Sequence, residues 1–378
     1  MSLPGTTERW HASPNAATEE RGSDVGEQAD ALVERIFGSL IGTAELMNVY
    51  LGDRLGLYAP LSDGWHTSSD LAGAAGIAER YAREWLEEQA VAGFLEVEEA
   101  GAAAADRRYR LSAEHARVLL DRDAPEYLAA YARMFVAAAQ RLPALLQAYR
   151  DGGGVGWREF GPDMSEGQEF GNRPTYLNAL GDWFASIPDL HAKLSGGARM
   201  ADIGCGGGWS SISLARAYPN LTVDGFDLDE PAVERARRNA QNEGLADRVR
   251  FHAVDPAEAD HGDGYDLVTA FECIHDMPRP VAVLRAMRAM AGDGGTVIVM
   301  DENVQPEFVA PGDEIERMMY GFSTLVCLPD GMSHPGSVGT GTVMRPSVFE
   351  GYAKEAGFGG VEILPIDGGF WRFYRLSG

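Results

Sequence analysis

The sequence predicts an α/β fold, in which a Rossmann-like domain of parallel strands and helices follows a mainly α winged-helix domain. Three observations carry this expectation. The run Ala201-Asp202-Ile203-Gly204-Cys205-Gly206-Gly207-Gly208-Trp209 leads into a helical pattern over 210–217, which reads as the first strand, turn and helix of a nucleotide-binding sheet. The next strand, 221–227, ends in Asp227, 25 residues after Asp202, where a carboxylate can accept both hydroxyls of a ribose. In the N-terminal half, two short helical patterns at 71–75 and 78–92 precede two strand-like segments, 94–97 and 108–111, as in a helix-turn-helix with a wing.

Taken in order, residues 1–25 are rich in Pro, Ser, Thr, Gly and charge, without apolar period, and are expected to be a disordered tail. A helix over 29–50 follows, with Leu32, Ile36, Leu40, Ala44, Met47 and Leu51 on one stripe. Thr67-Ser68-Ser69-Asp70 is a helix-capping signal. Helical patterns at 124–149 and 173–186 then connect the halves. Gly152-Gly153-Gly154 and a loop over 160–171, which carries Asp163, Glu166 and Glu169, are read between them as flexible. The expected organisation is a tail at 1–25, a helical and winged-helix domain at 26–122, a helical linker at 123–174 and a nucleotide-binding domain at 175–378.

Composition narrows the partners. A net charge of −25 and an absence of long apolar runs argue against nucleic acid and membranes, and three cysteines without metal-site spacing suit a reducing, cytoplasmic setting. Within 63–112 ten acids face five arginines, the opposite of what phosphate binding needs.

The glycine spacing selects the ligand. Asp-Ile-Gly-Cys-Gly-Gly-Gly places an acid two positions before the first glycine, where it would repel a pyrophosphate and attract an ammonium. On these residues the chain resembles the class I methyltransferases that use S-adenosyl-L-methionine, over about 175–378. The resemblance implies that Asp202, Gly204 and Gly206 seat the methionine end, that Asp227 with Leu228 holds the ribose, that Asp255 with Pro256 meets the adenine, and that Phe271 or Glu272 lies along the cofactor. A winged helix ahead of such a domain resembles the small-molecule O-methyltransferases, which implies a homodimer and a small-molecule acceptor, such as a hydroxyl of a secondary metabolite.

Within Ile274-His275-Asp276-Met277-Pro278, His275 is the expected general base, with Asp276 as its neighbour. Met277 stands where that family usually has Trp, and the sequence offers no clear Glu to stand behind the histidine. His334, in the glycine-rich segment 329–336 expected to act as a lid, supplies an alternative. With His275 and Asp276 it makes a set for a divalent metal, resembling the metal-dependent methyltransferases that act on the carbon next to a 2-oxo acid. Arg345 is a candidate partner for a substrate carboxylate. A third alternative is a non-catalytic regulator that senses S-adenosylmethionine.

Overall fold

The computed structural model describes residues 22–255, 264–292 and 294–378. The chain divides into two compact units, Met1–Asn48 and Val49–Gly378. The first carries most of the helix Gly22–Arg54, which begins inside the segment expected to be a tail. Leu32, Ile36, Leu40 and Met47 of the apolar stripe are exposed on it.

In the second unit, the expected winged helix is built as its sequence dictates. Thr67 accepts from the Asp70 N–H while Asp70 accepts from the Thr67 N–H, closing a capping box on the helix Ser68–Ala75, and Gly76 ends that helix in the left-handed region. The helix Glu79–Val91 follows, and β1 (Glu96–Val97) pairs antiparallel with β2 (Tyr109–Arg110) as the wing. Every arginine in this module pairs with an acid of the same module: Arg80 with Glu84, Arg83 with Glu79, Arg107 with Glu87, Arg108 with Glu98 and Arg110 with Glu96. These cations are already committed, so little positive charge is left for a phosphate backbone.

The connecting region corrects two expectations. Residues 160–171 are not a flexible loop; Pro162–Thr175 is a helix, with Pro162 in its first turn. Its glycines serve close packing. A methyl group at Gly167 would lie 2.7 Å from Met134 Cγ, so glycine lets this helix approach the helix Ala129–Asp151. The triple glycine is equally fixed. Gly152 caps the Ala129–Asp151 helix, and a methyl at Gly154 would sit 2.2 Å from the Pro329 carbonyl oxygen.

Two helices each contain one wider turn. Pro162–Thr175 passes through a π-helical turn, Tyr176–Leu180, into Gly181–Ala185. Similarly Glu314–Phe322 passes through Ser323–Cys327 into Leu328–Met332. The last of these helices falls in the segment expected as a lid. It is packed instead: Pro329 O accepts the Val155 N–H at 2.9 Å, and Asp330 accepts the Trp157 N–H at 2.7 Å.

The main sheet has seven strands: β3 (Arg199–Ile203), β4 (Thr222–Phe226), β5 (Val249–His252), β6 (Leu267–Phe271), β7 (Thr296–Glu302), β8 (Gly360–Ile363) and β9 (Trp371–Ser377). Their order is β5-β4-β3-β6-β7-β9-β8, with β3 to β7 parallel and β9 antiparallel to its neighbours. Largely apolar stretches such as Leu267–Phe271, buried throughout with Thr269 as the one polar member, are what a sheet covered on both faces requires. One core packs Leu180, Phe184, Trp209, Ile212 and Phe373 on one face, and another packs Leu284, Met287, Phe349 and Tyr374 on the other. The strand order reverses between β3 and β6, so the crevice at their C-terminal ends is where this topology binds a ligand. No described helix is long and apolar enough to cross a membrane.

Candidate active site

The loop after β3 owes its path to glycine. Gly204, Gly206 and Gly208 have φ of 69°, 50° and 81°, and Gly208 leads into the helix Trp209–Ala217. A methyl at Gly208 would come within 2.4 Å of the Phe251 ring, whereas one at Gly206 would meet nothing within 4 Å. The backbone over Gly206 is therefore bare and open, as a ligand cradle must be. Beside it, Asp227 accepts the Gly206 N–H and the Asp229 N–H, each at 2.8 Å, and so ties the loops after β3 and β4 together. Burial raises its carboxyl above the ordinary aspartate range.

Asp202 has a different place from the one expected. It is 1% exposed and accepts hydroxyl hydrogen bonds from Ser210, Ser211 and Thr269 at 2.6, 2.6 and 2.9 Å. It braces the start of the helix Trp209–Ala217 against β6 and does not present a surface to an ammonium. Burial raises its carboxyl, with the hydroxyls opposing.

Glu169, read from sequence as part of a flexible loop, closes the other side of the glycine loop. It accepts from Trp209 Nε1, Arg235 and Asn239, and a methyl at Gly207 would lie 2.3 Å from its carboxyl carbon. Leu228 is 64% exposed beside Asp227, and Asp255 is exposed on the segment after β5. Phe271 is buried among Tyr176 and Phe184. Pro256 lies outside the described residues.

At the ends of β6 and β7 stands a polar cluster. Glu272 has φ 53°, the one left-handed non-glycine residue among those described, a conformation that costs about 1–2 kcal/mol. Its N–H is held by Met300 O at 2.8 Å, and its carboxylate accepts the Tyr176 hydroxyl at 2.9 Å. Burial pushes its carboxyl up to about 8, against the opposing pull of Tyr176 and His275.

His275 is 3% exposed and ringed by acids: Asp301 at 2.7 Å and Glu302 at 3.1 Å on Nδ1, and Asp276 at 3.1 Å on Nε2. Burial alone would lower its pKa, but Asp276, Asp301 and Glu302 outweigh it and hold the imidazole well above 6.5. Conversely, burial would raise Asp301, and the imidazolium brings it below the ordinary range; Glu302 is pushed well up by burial.

Asp301 and Glu302, both against His275 Nδ1, are acids that sequence reasoning did not find. Their signal was present, since two acids end the otherwise apolar strand Thr296–Glu302 beside β6.

Two expectations are corrected. Among the described residues, the metal-capable groups join His275 either to Asp276 and Cys327 or to Asp301 and Glu302; His334 joins neither and is exposed, so the set His275, Asp276 and His334 is not assembled. Arg345 is spent internally, paired with Glu316 at 3.1 Å and donating to Glu307 O and the Tyr320 hydroxyl.

Comparisons with known proteins agree with this geometry. Residues 194–328 match a methyltransferase domain family, and residues 43–121 match the Rv2258c-like winged HTH domain. The ubiquinone biosynthesis O-methyltransferase of Bordetella pertussis is 31% identical over 194 residues, which span 50% of this chain and 74% of that protein. The fold is shared with mitomycin 7-O-methyltransferase (TM-score 0.69, 21% identity, 94% of this chain and 99% of that one). It is shared also with human N-acetylserotonin methyltransferase solved with S-adenosylmethionine (TM-score 0.67, 16% identity, 96% and 99%). With the switch-point crevice, the glycine cradle and these relatives together, the chain belongs to the class I S-adenosylmethionine-dependent methyltransferases and carries a winged-helix domain ahead of its catalytic domain.

Proposed function

We propose that this enzyme methylates a hydroxyl of a small-molecule acceptor, with His275 as general base. The observation that carries this reading is the 2.7 Å contact between His275 Nδ1 and Asp301, which fixes the ring so that Nε2 and its neighbour Asp276 serve the acceptor. When bound, the donor supplies an activated methyl group on a sulfonium. Gly206 and Gly204 offer bare backbone to its amino-acid end, Asp227 and Leu228 its ribose contacts, Asp255 its adenine contact, and Phe271 and Glu272 flank its length. Asp202 acts at one remove, by holding the loop in shape.

The three acids keep His275 charged until a second positive charge enters the cleft. That charge lowers the proton affinity of the imidazole, so Nε2 passes its proton by way of Asp276, 3.1 Å away and partly exposed, to solvent and can then receive the one from the acceptor hydroxyl. Asp301 stabilises the imidazolium that results. The test is turnover of His275→Ala and His275→Gln alongside their affinity for S-adenosylhomocysteine. Full turnover at unchanged affinity would remove His275 from the mechanism.

The same reading includes a homodimer. It is supported by the exposed apolar stripe Leu32, Ile36, Leu40 and Met47, a surface that a soluble single chain rarely leaves bare. The winged helix is read as an interaction and pocket-wall module, because its arginines are paired internally.

A further inference from the structure

Glu272 is held in place by features that the proposed proton transfer does not use. It occupies the C-terminal end of β6, the strand that flanks the topological switch point opposite β3. The following residue, Cys273, lies against the glycine loop: a methyl at Gly204 would be 2.8 Å from Cys273 Sγ. Its backbone is kept left-handed by the hydrogen bond to Met300 O, and its carboxylate is aimed by the Tyr176 hydroxyl from the first residue of a π-helical turn. Strain of this kind and π-helical turns both concentrate at functional sites. The groups that face Glu272 are Tyr176 and Asn172 from the helix above, Tyr131 from the helix Ala129–Asp151, His275 from its own loop and Asp301 from β7. Among the described residues no lysine or arginine pairs with it; the charge of His275 draws its carboxyl down, but that imidazolium is already shared among Asp276, Asp301 and Glu302, which leaves room for the positive charge of a ligand.

We propose that Glu272 is a selectivity residue whose carboxylate is the counter-charge to the sulfonium of the methyl donor, making the site prefer the cationic donor over the neutral thioether product. This rests on the reading above that the β3–β6 crevice holds the donor. In the reaction the C–S bond breaks, its electron pair stays on sulfur, a C–O bond forms and the hydroxyl proton passes to His275. The sulfonium charge is thereby lost, and Glu272, whose remaining cationic neighbour His275 is shared among Asp276, Asp301 and Glu302, takes a proton from solvent. The same residue that favours entry of the donor then favours departure of the product.

Proton and ligand are linked: a cation that favours the ionised carboxylate binds more tightly once that carboxylate is ionised. An opposite charge within ~4–6 Å shifts a carboxyl by about 1–3 pH units, which is about tenfold or more in affinity. The experiment is calorimetric titration of wild type, Glu272→Gln and Tyr176→Phe with S-adenosylmethionine and with S-adenosylhomocysteine, at pH 6.5 and pH 9. The α-amino group titrates in both ligands and all three proteins, so the variants subtract it. Expected is a preference for the donor that grows about tenfold or more with pH in wild type, is flat in Glu272→Gln, and shifts to higher pH in Tyr176→Phe, which lacks the hydroxyl that favours the ionised form.

A wild-type preference that does not change with pH, with both ligands bound, would overturn the role of Glu272 while leaving the donor crevice intact. Binding of neither ligand would overturn both. The wild-type series stands even where a variant fails to fold.

Discussion

His275 and Asp301 sit at the ends of adjacent parallel strands, β6 and β7, and meet at 2.7 Å although 26 positions separate them in the chain. Neither is more than 3% exposed. The pair fixes which ring nitrogen carries the proton, and most of the chemistry proposed for this enzyme depends on it.

Replacement of Asp301 by Asn keeps the shape but can leave the proton on the wrong nitrogen. We expect kcat to fall by about 10²–10⁴, the range for loss of a positioned base, with affinity for S-adenosylhomocysteine unchanged. Steady-state release of that product, set beside calorimetric binding, checks it.

Glu272 carries a cost in stability that depends on pH. Its folded carboxyl is raised from 4.5 to about 8, so between these values the folded state binds a proton that the unfolded state does not. Stability due to this group therefore falls as pH rises through that window. The Glu272→Gln variant should gain in Tm over wild type at pH 8 and show little gain at pH 4.5. Equal gains at both would show that ionisation is not the cause.

Two glycines of one loop should behave oppositely. Gly206→Ala meets no atom within 4 Å, so the protein should fold with a loss of about 1–2 kcal/mol from its positive φ and weakened donor binding. Gly208→Ala drives a methyl into the Phe251 ring at 2.4 Å and should be destabilised considerably more. Urea unfolding of the two variants is the comparison, and similar midpoints would contradict the assignment.

Asp202→Ala takes the acceptor from the buried Ser210 and Ser211 hydroxyls, while Thr269 keeps the Ala201 carbonyl at 3.3 Å. A loss of about 1–3 kcal/mol per orphaned group is the usual scale, so Tm should drop clearly, and donor and product affinities should weaken by the same factor. A selective effect on the donor would mean that Asp202 reaches the ligand directly.

The homodimer is tested by light scattering after size exclusion. Wild type should run at twice the mass of one chain, and Ile36→Asp with Leu40→Asp should run as a monomer. A monomeric wild type would mean that the stripe faces something other than a second copy.

The catalytic half was largely legible because its signals are local. Alternation of apolar strands with helices, glycines where φ is positive and an acid at each strand end are all contiguous in sequence, and the expectations for Gly206, Asp227 and His275 were drawn from them. What escaped was either tertiary or a residue with two meanings. Asp301 and Glu302 become partners of His275 only because β7 lies beside β6, which no local spacing encodes. Glu169 and Gly167 were read as loop residues because glycine and proline are dense there. In the fold those glycines make room for a neighbouring helix, and the acid faces inward onto Arg235. Asp202 was placed correctly in sequence but given a ligand where the structure gives it three hydroxyls.

The two π-helical turns have a consequence for how this pocket can change. A π turn holds one residue more than the α turn it replaces, so deleting a single residue within 176–180 or 323–327 would restore an ordinary helix. The helix on either side would keep nearly its orientation, because the wider turn spans about the same rotation with one residue more, and the side chains within the turn itself would be re-aimed. Tyr176 opens one such turn and Cys327 closes the second, so each wall can be re-aimed by adding or removing one amino acid while the sheet beneath stays as it is. Differences in length by one residue at these two places are therefore the first feature to compare when relatives of this enzyme accept different substrates.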